Sequence, residues 1–85
     1  SNFSANEIKV NHFYETVTKT LNINVTEQIN INKVELVSVD GKIVSTFKTS
    51  GNTIALDLNS IQNGVYLIRL NSVEGKKSTF KFIRN

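Results

Sequence analysis

Asn63-Gly64-Val65-Tyr66-Leu67-Ile68-Arg69-Leu70 is the stretch whose reading decides the fold. Asn63-Gly64 is a sharp backbone break, and the four residues behind it are all apolar or aromatic. A strand with apolar side chains on both faces belongs at the centre of a sheet. Arg69 then interrupts before Leu70. Outward from this segment the pattern becomes a clean period of two. Ile54, Leu56 and Leu58 alternate with Ala55 and Asp57, and Leu21, Ile23 and Val25 alternate with Asn22 and Asn24. Phe80 and Phe82 flank Lys81. Such alternation describes strands with one face buried and the other solvated.

Glycine and asparagine punctuate these runs. Asp40-Gly41 separates residues 33–39 from 42–48 and reads as a two-residue type I′ hairpin. Glu74-Gly75 divides the strand behind Gly64 from the last one, and Ser50-Gly51-Asn52 forms a looser turn. Residues 59–63 read as one short turn with Ile61 plugged beneath it. The predicted strands are about 7–10, 18–25, 31–39, 42–48, 53–58, 65–71 and 77–83. Composition agrees, with nine Ile, nine Val and eight Thr, and Ala only at positions 5 and 55. The predicted class is all-β, an immunoglobulin-like antiparallel β-sandwich of six to seven short strands. Eighty-five residues make one domain, with neither Cys nor a second His to staple it. A filled apolar core must carry the stability.

Charge and chemistry exclude several functions. The net charge of +3 is spread along the chain, with one cluster at Lys76, Lys77, Lys81 and Arg84. That cluster reads as a solvated edge guarded by lysines. Nucleic-acid binding would want a denser basic stripe interleaved with aromatics. The five Glu and two Asp stand mostly apart, so no catalytic carboxylate pair emerges. His12 is placed in a polar loop near Tyr14 and Glu15, and one imidazole is a poor metal site. The spacing of acidic residues also fails a calcium loop. The four Gly are single and lie at turns, so no phosphate-binding loop is present. No catalytic residue, metal or cofactor is expected. No apolar run reaches the ~20 residues of a membrane span.

Four segments in order carry a resemblance: the hairpin 33–44, the short strand and plug 53–61, Gly64-Val65-Tyr66 with its alternating tail, and the closing strand 77–85. Together they resemble the C-terminal sorting domain of type IX secreted proteins, the Por secretion tail of Bacteroidetes. Phe13-Tyr14-Glu15-Thr16 aligns with the family's opening motif, which normally reads aromatic-Pro-Asn-Pro. Here Tyr14, Glu15 and Thr16 stand in its place, which should leave a more pliable start. The resemblance implies a non-catalytic sorting signal at the end of a larger cargo protein. Its implied partners are that upstream cargo, the type IX translocon and a sortase-like surface peptidase, with no nucleic acid and no membrane span. Its implied route runs through the periplasm to the outer-membrane surface or the medium. On this reading residues 1–7 are a linker or a remnant of the cleavage region, and 8–85 are the domain.

The expected recognition residues are Gly64, Tyr66, Lys77, Lys81 and Arg84. Gly64 is expected in a left-handed or otherwise strained conformation. Tyr66 is expected to bury its ring and hydrogen-bond the backbone through its hydroxyl. In the closing strand Phe80, Phe82 and Ile83 should anchor while Lys81 and Arg84 stay solvated. The alternative reading is a carbohydrate-binding or adhesion β-sandwich, for which Phe3, Phe13 and Tyr14 are the candidate stacking aromatics. Fold alone does not decide between the two.

Overall fold

A computed structural model describes residues 8–85. Seven strands follow in order: β1 (Val10–Glu15), β2 (Thr20–Val25), β3 (Ile31–Ser38), β4 (Ile43–Lys48), β5 (Thr53–Asp57), β6 (Gly64–Ser72) and β7 (Lys77–Arg84). There is no helix among the described residues. One sheet has the order β1-β2-β5 and the other β4-β3-β6-β7, and every pair is antiparallel. The chain changes sheet between β2 and β3, between β4 and β5, and between β5 and β6. That is an immunoglobulin-like sandwich in which β4 stays beside β3.

The alternating residues build the core between the sheets. Leu21, Ile23 and Val25 from β2 and Ile54 and Leu56 from β5 meet Val34 and Leu36 from β3, and all are buried. Tyr66, Ile68 and Leu70 from β6 and Phe82 from β7 complete the opposite wall. Leu58 is fully buried just after β5, and Ile61 packs half-buried against the same cluster. The Ile61 N–H donates to the Leu58 carbonyl at 3.1 Å, so the plug predicted in this connection is present. β6 lies between β3 and β7, the central position its apolar run demanded.

Three local expectations are corrected. The first strand is not 7–10 but Val10–Glu15, which includes the residues assigned to a loop around His12. Its signal is missed because, past Val10, the inward positions carry His12 and Tyr14 rather than aliphatic residues. Those rings pack against β7: His12 stacks on Phe80 with centroids 3.9 Å apart, and Tyr14 meets Phe82 edge-on at 5.0 Å. The stretch where Tyr14 and Glu15 stand in the proline motif continues the ladder, through Tyr14↔Leu21 to Glu15↔Thr20.

The Asp40-Gly41 turn is not type I′, which needs positive φ at both central residues. Among the described residues only Lys19 and three glycines have positive φ. Gly41 (φ 93°) closes a three-residue loop, with its N–H donating to Ser38 O at 2.9 Å and Ser38 N–H donating to Lys42 O at 2.8 Å. Ser72-Val73-Glu74-Gly75-Lys76 repeats this arrangement, with Gly75 at φ 86° and matching bonds of 3.1 and 3.0 Å. In both turns the serine hydroxyl accepts from the backbone N–H of the lysine. The repeated Ser-Val-acid-Gly-Lys sequence is the signal for this shared geometry.

Ile83 and Arg84 exchange the roles expected of them. Ile83 is 54% exposed, whereas Arg84 is 8% exposed. The period of two decides this: with Phe82 facing the core, residue 83 must face out and residue 84 in. The proposed linker 1–7 lies outside the described residues.

Candidate recognition surface

The five expected recognition residues fall into two groups on opposite sides of β6 and β7. Gly64 and Arg84 are register partners, and Tyr66 is on the same inward face as Arg84. Gly64 does not have a positive φ, which corrects the expectation of a left-handed backbone there. The ring of Tyr66 lies across it instead, 3.5 Å from where a Cβ would sit. The Tyr66 hydroxyl donates to Gln62 O at 2.7 Å, four residues upstream. This is a tyrosine corner, which ties the crossover between sheets to the strand it feeds.

Arg84 completes the same corner. Its Nε and Nη2 donate to Leu58 O at 3.2 and 3.1 Å, and its Nη1 donates to Asn63 Oδ1 at 2.6 Å. Nη2 also reaches Asn59 O at 3.5 Å. The guanidinium thus satisfies carbonyls of the 58–63 connection that no strand partner reaches. Its planar fork suits several acceptors in one plane, which a lysine could not match. Nearby, Asn59 holds the Asp57 carboxyl below its usual range, first through its side-chain amide and then through its backbone N–H.

Lys77 and Lys81 lie on the outer face of the four-stranded sheet, opposite Asn71 and Leu67. One end of that face is charged. Lys48 and Lys33 are directly paired, and Asn71 and Lys77 extend the row across all four strands. Glu35 is enclosed in the next row, 2.8 Å from Arg69 Nε and 4.0 Å from Lys33 Nζ. The hydrogen bond from Arg69 is the main cause holding the Glu35 carboxyl below its usual range, opposed by partial burial and helped by the charges of Arg69 and Lys33. The other end is apolar: Ile43, Val37 and Leu67 form a row closed by Lys81, and Val65 pairs with Ile83 beyond it. Sequence reading placed apolar residues on both faces of β6 but missed that the second face is left open. Only cross-strand register gathers Ile43, Val65 and Ile83.

Of the candidate stacking aromatics, Tyr14 is engaged by Phe82 and Phe13 is 63% exposed on the outer face of the other sheet. Phe3 lies outside the described residues. His12 faces Phe80, and the described residues contain no group of three His, Cys, Asp or Glu suited to a metal ion. No helix among them is long and apolar enough to cross a membrane.

Fold and surface together define a small immunoglobulin-like module whose polar side chains mostly serve its own turns and corner. The chain belongs to the family of secretion system C-terminal sorting domains, whose family model matches residues 17–85. This is the sorting signal of type IX secretion. The match begins just after the stretch where Tyr14, Glu15 and Thr16 replace the proline motif. No curated protein matches the chain.

Proposed function

We propose that this domain is a non-catalytic address carried by a larger secreted protein. It is recognised in the periplasm by the type IX translocon, accompanies its cargo across the outer membrane, and is then removed by a sortase-like surface peptidase. The cargo reaches the cell surface or the medium. The observation that carries this reading is the family match over residues 17–85. Its support is that the matched motifs form connected parts of one folded unit: the β3–β4 hairpin, the 58–63 plug, the Tyr66 corner and β7. A folded unit of this kind offers surface, not a reaction centre. Fusing residues 1–85 behind a periplasmic reporter in a type IX-competent strain tests it. The expected result is reporter at the surface or in the medium, dependent on an intact translocon. A reporter that stays periplasmic would overturn the reading.

A further inference from the structure

Resting on the sorting reading, we propose that the outer face of the four-stranded sheet docks an acidic protein surface of the export machinery. The first support is clustering. Of the eight large apolar side chains that are clearly exposed among the described residues, five lie towards one end of this sheet: Val39 in the β3–β4 turn, Ile43 and Val44 on β4, Val65 on β6 and Ile83 on β7. Val37, which is only 4% exposed, and half-buried Leu67 lie between them in the register. Single exposed apolar residues need no explanation, but a contiguous group marks an interaction site.

The second support is charge complementarity. The outward positions of this sheet carry Lys33, Lys48, Arg69, Lys77 and Lys81 against Glu35 alone, five bases and one acid, for +4. The outward positions of the other sheet carry Glu15 and Asp57 and no base, for −2. A chain of net charge +3 has therefore placed its surplus on one face. Lys33 and Lys48 are held directly opposite each other across β3 and β4. Like charges in that position are unfavourable in the free sheet and become favourable beside a negative surface. An apolar end and a basic end on one face let a single partner bury the first while its acidic surface meets the second, so that opposite potentials guide docking and reject wrong partners. Lys77 and Lys81 thereby belong to the docking surface, while Gly64, Tyr66 and Arg84 hold the fold that presents it.

The test uses the full chain fused to the reporter, in three forms. One is unaltered, one carries Val65→Thr, Ile83→Thr, Lys77→Glu and Lys81→Glu, and one carries Phe13→Thr and Glu15→Lys on the opposite face. Thermal melting of each purified fusion checks that the domain is folded. The expected result is at least a tenfold loss of export for the first variant, with melting and export of the second unchanged. A photo-crosslinking residue at position 83, but not at 13, should give an adduct with an acidic envelope protein, and Lys77→Glu with Lys81→Glu should abolish it. Normal export of the folded first variant, or equal adducts from both positions, overturns the docking face while leaving the sorting reading intact. Failure of the unaltered fusion to be exported overturns both. Binding of the unaltered fusion to phosphatidylglycerol vesicles that Lys77→Glu with Lys81→Glu abolishes, without any protein adduct, would assign the face to a lipid surface. A concentration-dependent dimer in sedimentation, abolished by the same variant, would assign it to a second copy of the chain. Either result overturns the proposal.

Discussion

At the scale of the residue, Arg84 is the side chain whose role changed most between sequence and fold. A basic residue in the closing strand reads as solvated, because buried guanidinium groups are rare unless paired. Here the charge is buried against the carbonyls of Leu58 and Asn59 and the Asn63 amide oxygen. Hydrogen bonds to a charged group contribute more than neutral ones, so Arg84→Ala is expected to cost about 2–3 kcal/mol in urea unfolding. Arg84→Lys should recover less than half, since one ammonium cannot reach Leu58 O and Asn63 Oδ1 in the same fork geometry. Lys81→Glu, on the exposed side, should stay within about 0.5 kcal/mol. Equal and small effects at both positions would contradict the buried corner. Reversing both charges together therefore confuses folding with recognition, and Lys81 is the cleaner probe.

At the scale of the element, the two three-residue loops and the Tyr66 corner use glycine for different physical reasons. Gly75 has open space around it but a φ of 86°, so a side chain there meets no neighbour yet is strained by the backbone. Gly64 has ordinary φ but lies beneath the Tyr66 ring, whose nearest atom is 3.5 Å from the Cβ position, an ordinary van der Waals contact. Gly75→Ala is expected to lower stability by about 1–2 kcal/mol, whereas Gly64→Ala should remain within about 0.5 kcal/mol. Denaturant midpoints of the two variants decide this, and a larger loss at Gly64 would show that its backbone is the strained one. The sequence located both turns but not their type, because Asp-Gly serves either a two-residue or a three-residue loop. β1 was misplaced for a related reason. Its inward residues are His12 and Tyr14, whose packing partners Phe80 and Phe82 are some 70 positions away.

At the scale of the whole molecule, acid is expected to destabilise the sandwich. Glu35 is held below its usual range chiefly by the Arg69 hydrogen bond, and Glu27 chiefly by the one from Lys76. Asp40 is held down by the Ser38 hydroxyl, and Asp57 by Asn59. A carboxyl whose folded pKa is depressed binds its proton more readily in the unfolded chain. Its stabilisation is therefore complete above the unfolded pKa and lost as pH falls through the folded one. All four groups act in the same sense, so stability should hold from neutral pH to about the ordinary carboxylate range of ~4–4.5 and then decline. Arg69 and Lys33 are partly solvated, which screens the Glu35 cluster and keeps its effect modest. Glu35→Gln should lower the urea midpoint at pH 7 but converge with the unaltered protein near pH 2. Parallel curves across that range would remove Glu35 from the acid response.

The sequence alone determined what is local and periodic. Alternation at two residues per repeat sorted most core side chains from surface ones, the apolar run behind Gly64 chose the central strand, and ordered motifs over 33–85 indicated the family. These signals need no knowledge of distant partners, since a strand's faces follow from its own pleat. The tertiary structure decided whatever depends on which strands become neighbours. It put Arg84 against the 58–63 connection, drew His12 and Tyr14 onto β7, and gathered Ile43, Val65 and Ile83 at one end of a face whose other end carries a row of lysines. Register between strands far apart in sequence is set by turn geometry and by burial of one face. A residue's own neighbours therefore tell which way it points, and only the closed sandwich tells what it meets there.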